Sequence, residues 1–387
     1  MNVIPYGRHF VDEDDIQSVV DVLKSTHLTQ GEKVREFEEE FARFTDANYS
    51  IAVSNGTTAL HLCVMALGLE AGDKVLTTSN TFVASSNCVL YASGKIDFVD
   101  IDPESYLFDL DKLEEKLKSS PDEYKGIVGV DFAGYPIDME RLSKIAKKYG
   151  LWIIEDACHA IGGEFKNSQN EVEKVGSGKY ADLTIFSFHP VKHITAGEGG
   201  IITTRNKELY EKVNLLRSHG ITKNSEEYVG EDQGGWYYEM QELGYNYRLS
   251  DINCALVLSQ LKKIDKNLER RREVASIYNE KLSGIKQVQT PTVGPRFSNA
   301  YHLYVIRVED RKKLYDFLRQ KNIHSQVLYI PVHQQPFYQK LGSWDEVLPE
   351  TNKYYKECLA LPMFPTLTNQ EVDYVVDSIK EFYTEGA

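Results

Sequence analysis

Four short segments carry residue types that could do chemistry on a small molecule. One of them, Phe186-Ser187-Phe188-His189-Pro190-Val191-Lys192, ends in an amine and is followed by Gly197-Glu198-Gly199-Gly200. A lysine becomes a nucleophile when its surroundings lower its pKa, although most lysines are simply solvated. Glu155-Asp156-Ala157-Cys158-His159 supplies a carboxylate that could hold a proton on a heterocyclic nitrogen, or equally serve a turn. Ser54-Asn55-Gly56-Thr57-Thr58 combines small residues with a helix start, where free N–H groups and the helix dipole favour an anion. A plain helix cap is the simpler reading of that segment taken alone. In Gly244-Tyr245-Asn246-Tyr247-Arg248-Leu249-Ser250-Asp251, Asn246 and Arg248 could reach a phosphate, while Ser250 or Asp251 could cap the next helix. His189 has no second ligand at useful spacing, so no metal site is expected.

These residues need a scaffold, and the hydrophobic pattern describes one. Apolar runs at 51–53, 74–76, 96–99, 126–130, 151–155, 183–186 and 200–203 read as strands. Helical patterns fall between most of them, at 57–67, 82–92 and 139–149, after two opening helices that place Ile16, Val19, Val20 and Leu23, then Phe37, Phe41 and Phe44, on single faces. Such alternation predicts an α/β fold with a mostly parallel seven-stranded sheet covered on both sides. Ligands in such sheets sit beyond the carboxyl ends of the strands, where the four segments fall. Past Leu249 the pattern changes to long helical sequence over 250–282. A strand at 303–308, a helix at 311–321, a second strand near 326–329 and a last helix at 370–383 follow. The chain therefore divides into a large domain over 1–250 and linking helices with a small α+β domain over 251–387. The polar stretch 166–179 reads as a surface loop.

Composition narrows the function. The 387 residues hold 44 Lys+Arg against 58 Asp+Glu, a net charge of −14. That argues against a nucleic-acid surface or a polybasic membrane patch, while leaving room for one cationic pocket. No apolar stretch is long enough to span a bilayer. The opening MNVIPYGRHFVDEDD lacks the order of a secretory leader. Five cysteines, odd in number and without a CxxC pair, suit reduced thiols in a cytoplasmic protein. Gly176-Ser177-Gly178 lacks the third glycine of a dinucleotide-binding loop, so a nicotinamide oxidoreductase is a poor reading.

An anion cradle, an aromatic, an aspartate and a lysine, in that order, meet the needs of one cofactor. Pyridoxal 5'-phosphate (PLP) requires an amine for its aldehyde, a carboxylate opposite its ring nitrogen, a phosphate cradle and a stacking ring. With these residues in view, the chain resembles the fold-type-I, PLP-dependent nucleotide-sugar aminotransferases of the DegT type. The likeness rests on Leu28-Thr29-Gln30-Gly31, residues 54–60, 155–159, 187–192 with 197–200, and Asn246-Tyr247-Arg248. The segment 186–195 is most similar to enzymes that aminate a UDP-linked 4-keto-6-deoxy-N-acetylhexosamine on the way to pseudaminic acid.

The resemblance implies roles. Lys192 would bond to the cofactor and move protons, and Asp156 would keep the ring nitrogen protonated. Phe82 would stack on the ring. Gly56, Thr57 and Ser187 would hold the phosphate, and His159 would lie near the ring hydroxyl. Asn246 would reach the phosphate of a neighbouring subunit, which makes the active unit a homodimer with shared sites. Tyr6, Thr26, His27, Leu28, Thr29, Tyr329 and His333 match regions that line the sugar-nucleotide cleft. Arg217 and His219 lie in a further family segment whose role does not follow from the sequence. Glutamate would be the amino donor and a nucleotide-linked 4-keto sugar the acceptor. Some relatives carry histidine in place of the lysine and act as dehydratases. Here four residues separate Lys192 from Gly197, which aligns Lys192 and not His193 with the family's lysine. A PLP-dependent dehydratase or isomerase, a dTDP- or GDP-linked acceptor, and a regulatory PLP-binding protein remain the alternatives.

Overall fold

The computed structural model describes residues 3–385. All seven apolar runs become strands of one sheet. In space their order is Tyr49–Val53, Gly200–Thr204, Leu183–Ser187, Trp152–Asp156, Tyr124–Val130, Lys74–Thr78 and Lys95–Val99. Every adjacent pair is parallel except the two made by Gly200–Thr204, which runs against both neighbours. The reason is its connection. Residues 188–199 link it to Leu183–Ser187 without a helix, and a parallel return would need a helical crossover. That short return carries Lys192.

Side-chain alternation along Leu183–Ser187 sets up the site. Phe186 and Phe188 are fully buried against Phe37 and Phe41 of the helix Glu32–Thr45, with ring centroids 5.1 to 5.7 Å apart. Successive residues of a strand face opposite ways, so Ser187 turns to the other face. There it meets Gly56, the first residue of the helix Gly56–Ala66. This helix is buried on almost every face, which explains its nearly uniform apolar sequence.

Past the sheet, the helical stretch 250–282 divides at Lys262 and Lys263 into the helices Asp251–Leu261 and Ile264–Leu282. A second, antiparallel sheet joins Val288–Gln289, Tyr304–Val308 and Cys358–Leu361, flanked by the helices Arg311–Gln320 and Asn369–Glu385. The strand expected near 326–329 does not form. Gln326 makes one bridge to Ala360, and the ladder beside Tyr304–Val308 goes to the wholly buried Cys358–Leu361 instead. The start of the chain also joins this unit. Ile4 donates to the Asn322 carbonyl and accepts from the His324 N–H, at 2.9 and 2.8 Å. The Tyr6 carbonyl accepts from the Met363 N–H at 2.9 Å, just past the end of Cys358–Leu361.

The stretch 166–179 is not a plain loop. Glu164–Lys166 and Val172–Lys174 form a hairpin that pairs with Phe297–Ser298. Its polar residues are occupied: buried Asn167 donates to Glu171 and Glu173, at 2.9 and 2.8 Å. Lys166, residues 168–172 and Lys179 are exposed, as a surface segment should be, while Asn167 and Glu173 are buried in an internal hydrogen-bond network. Among the described residues, no helix is long and apolar enough to cross a membrane.

Candidate active site

The segments picked out at positions 54–58, 82, 155–159 and 187–192 converge on one cavity of about 590 Å³. Asn55, Gly56, Thr57, Phe82, Ser85, Asp156, Cys158, His159, Ser187, Lys192, His302, Tyr6 and Tyr329 all line it. The carboxyl ends of Tyr49–Val53, Lys74–Thr78, Trp152–Asp156 and Leu183–Ser187 open toward this space.

One wall is a helix start. Asn55 caps the helix Gly56–Ala66 by accepting the Thr58 N–H at 2.9 Å. The Gly56 and Thr57 N–H groups have no protein acceptor among the described residues, as expected of a first helical turn. A Cβ on Gly56 would come within 3.1 Å of Ser187 Cβ and 3.3 Å of Cys158 Sγ. Gly200 is confined more tightly, since a Cβ there would lie 2.6 Å from the Asn55 carbonyl oxygen. Backbone amides, the Thr57 and Ser187 hydroxyls and the dipole thus form an anion cradle that any larger side chain would fill.

The opposite requirement, a fixed carboxylate, is met by Asp156. It is buried, its Oδ2 accepts the Ser85 hydroxyl at 2.7 Å, and its Oδ1 accepts the Cys158 N–H at 3.2 Å. The Lys192 amine reaches the same space. Burial lowers its pKa, and the Cys158 and Asp156 groups oppose that shift. Phe82 precedes the helix Ala84–Tyr91 and stays 55% exposed. Its ring therefore offers a face to the cavity, 6.0 Å from the Tyr329 ring centroid.

His159 is held from two sides. The Ala133 N–H donates to Nδ1 at 3.2 Å, so the ring proton sits on Nε2 and goes to the Tyr329 hydroxyl oxygen at 3.1 Å. Burial, with the nearby Lys192 charge, keeps its pKa well below the usual histidine range and the ring neutral.

Other expected site residues lie elsewhere. Thr26, His27, Leu28 and Thr29 are exposed and outside the cavity wall of this chain. Asn246 is exposed as well and pairs with Ser218 across a bridge. His333 is buried away from the cavity. Its Nδ1 meets the Ser79 hydroxyl at 2.7 Å and its Nε2 the Asn352 side chain at 3.1 Å, so its contacts tie one loop to another. Arg217 has a structural role: it bonds the Glu38 carboxylate at 2.5 Å and the Ala52 carbonyl at 2.8 Å, clamping the edge strand. His219 adopts φ +64 in the turn before Gly220. Two polar lining residues escaped the sequence reading. Ser85 stands three positions after Phe82, in a segment already singled out. His302 lies far along the chain from Lys192 and has no local signal.

A buried amine, a carboxylate held by two donors, a helix-start anion cradle and an open aromatic face fit PLP. Fold and site together define a fold-type-I PLP-dependent aminotransferase. The chain belongs to the DegT/DnrJ/EryC1/StrS aminotransferase family, whose profile matches residues 10–380. It is 38% identical over 382 residues to the UDP-4-amino-4,6-dideoxy-N-acetyl-beta-L-altrosamine transaminase of Campylobacter jejuni, covering 97% of this chain and 96% of that one. It is 31% identical over 401 residues to the GDP-perosamine synthase of Escherichia coli O157:H7, covering both chains completely. Among solved structures, PseC of Helicobacter pylori, an aminotransferase of pseudaminic acid biosynthesis, superposes with a TM-score of 0.89. The two are 29% identical, over 99% of this chain and all of that one. The protein is a sugar aminotransferase.

Proposed function

We propose that the protein transfers an amino group from glutamate to the 4-keto carbon of a UDP-linked 4-keto-6-deoxy sugar, in the synthesis of pseudaminic-acid-like or related surface-glycan sugars. The observation that carries this reading is the 38% identity, over nearly the whole chain, to a transaminase of a UDP-linked dideoxy sugar. It is joined to a site in which Lys192 and Asp156 face one cavity.

PLP, when bound, supplies a reactive aldehyde and a ring that draws electrons from the substrate carbon. The rest belongs to the protein. The Gly56 and Thr57 amides, with Thr57 and Ser187 hydroxyls, bind the phosphate. Phe82 covers one face of the ring. Asp156, held by Ser85 and the Cys158 N–H, keeps the proton on the ring nitrogen. The Lys192 amine, its pKa lowered by burial, is available to take a proton from the substrate carbon and return it. His159, held by the Ala133 N–H and the Tyr329 hydroxyl, would lie near the ring hydroxyl. Thr26, His27, Leu28, Thr29 and Asn246, all exposed here, act in a homodimer, in which Asn246 reaches the phosphate site of the partner. We divide the chain into the cofactor-binding domain 1–250 and the smaller unit 251–387. Tyr6 and Tyr329 approach from the smaller unit's side of the cavity to meet the sugar nucleotide.

A panel of UDP-, dTDP- and GDP-linked 4-keto sugars tests the reading, with 2-oxoglutarate formation as the signal. The UDP sugar should turn over fastest; faster turnover of a GDP or dTDP sugar overturns the nucleotide assignment. Lys192→Ala should abolish 2-oxoglutarate formation and leave no borohydride-fixed cofactor on the chain. Near-native turnover would remove Lys192 from its role.

A further inference from the structure

Two buried polar groups of the cavity wall are matched within the protein: Asp156 has its two donors, and His159 has Ala133 on one nitrogen and Tyr329 on the other. His302, buried like them, is not. It is 4% exposed, forms part of the cavity wall, and lies with its ring centroid 4.4 Å from that of His159. Its Nδ1 is buried without a partner, and no hydrogen bond from a described residue reaches its Nε2. His193 cannot supply one: it donates from Nε2 to the Ala300 carbonyl at 2.9 Å, with its ring centroid 5.7 Å from that of His302.

The backbone holds His302 firmly in place. The Ala133 and Gly134 carbonyls accept from the Leu303 and Ala300 N–H groups, at 3.1 and 2.9 Å, and the His302 carbonyl accepts from Arg271 at 3.3 Å. A Cβ on Gly134 would lie 2.9 Å from the His302 nitrogen. The turn that aims His159 through the Ala133 N–H therefore also fixes His302. Burial and the Lys192 and Arg271 charges keep the imidazole neutral. A neutral ring carries one proton, and a shut-in N–H without an acceptor is rarer in proteins than a shut-in lone pair. The proton thus belongs on Nε2.

We propose that His302 is a further ligand-contacting residue of this aminotransferase, donating from Nε2 to an anionic oxygen of the molecule held beside Lys192. Two sources present that oxygen: the cofactor's ring oxygen, or a carboxylate of the amino donor. The inference rests on the aminotransferase assignment and not on the identity of the sugar.

The test uses the holoenzyme with His302→Phe, which keeps a ring and removes the donor, and His302→Gln, which restores a donor near Nε2. If the partner is the cofactor's ring oxygen, His302→Phe without substrate should move the pH midpoint of the visible cofactor band by about one unit, the worth of one hydrogen bond. If it is the donor carboxylate, that band should stay unchanged and the glutamate KM rise about tenfold, with the keto-sugar KM unaffected. In either case His302→Gln should recover most of the change. An unchanged band together with an unchanged glutamate KM overturns the proposal. Should His302→Phe fail to fold, a crystal structure of the wild-type holoenzyme with 2-oxoglutarate decides. A ligand oxygen within hydrogen-bond distance of Nε2 supports the proposal, and none there overturns it. Cofactor retained on Lys192 throughout would show that the aminotransferase assignment survives such a failure.

Discussion

Ser85→Ala isolates the support beneath the Asp156 carboxylate, proposed above to face the ring nitrogen. Ser85 is 1% exposed and its hydroxyl carries one proton, given to Asp156 Oδ2 at 2.7 Å. The Thr81 hydroxyl, 2.8 Å from Ser85 Oγ, must then donate to it. A two-step chain, Thr81 to Ser85 to Asp156, results. Removing the Ser85 oxygen leaves Oδ2 without that hydroxyl, while the Cys158 N–H still holds Oδ1 at 3.2 Å. A hydrogen bond to a buried charge is worth about 1.5–3 kcal/mol. If Asp156 must stay ionised to hold the ring proton, the loss weakens the substrate half-reaction by about ten- to hundredfold. The assay is single-turnover 2-oxoglutarate formation, with cofactor retention after dialysis as the second reading. Thr81→Ala, one bond further out, should have a smaller effect on both. Ser85→Ala turnover within twofold of wild type, with cofactor fully retained, would refute the idea that this chain supports Asp156.

Three further outcomes follow from the packing. Gly200→Ala should displace the Asn55 backbone, which a Cβ would approach to 2.6 Å, and so weaken phosphate-dependent cofactor affinity measured by equilibrium dialysis; unchanged affinity would show that the cradle is not held by this contact. Asp131 and Glu155 form a buried carboxyl pair: burial and the Glu155 charge raise Asp131, and burial pushes Glu155 up to about 7. The folded pair keeps a proton that the unfolded chain releases near the ordinary carboxylate pKa, so the pair's contribution to stability falls as pH rises from there to about 7. The buried histidines, whose lowered pKa values act in the opposite sense, are unchanged in Asp131→Asn. The stability advantage of Asp131→Asn over wild type in urea should therefore grow with pH across that window, and a shrinking advantage would contradict the raised carboxyl pKa. Finally, mixing Asn246→Ala and Lys192→Ala chains should restore part of the activity in hybrid dimers; no restoration would argue against a site shared between subunits.

Much of the large sheet was legible because its strands are buried on both faces and read as unbroken apolar runs. Strand ends were equally plain at Gly56 and Asp156, where residue type and spacing mark a helix start and a carboxylate. The failures have a common cause. Stretch 166–179 is polar partly because half of it is exposed and partly because Asn167 bonds Glu171 and Glu173 within a hairpin, and the pairing of that hairpin with Phe297–Ser298, so distant in sequence, leaves no local trace. The strand expected near 326–329 is reduced to one bridge, Gln326 to Ala360 of Cys358–Leu361, and how far such a pairing extends depends on a distant segment that periodicity alone does not register.

His333 shows the same limit from the other side. A histidine beside a tyrosine motif suggests a ligand, yet Ser79 and Asn352 occupy both its nitrogens. His302, without any motif, stands in the cavity with neither nitrogen taken. Residue order along the chain determined the sheet, the helix start at Gly56, the carboxylate and the amine, because each depends on neighbours a few positions away. Which buried polar groups are satisfied and which are left for a ligand depends on contacts between segments more than a hundred residues apart. Only the packed molecule decides that.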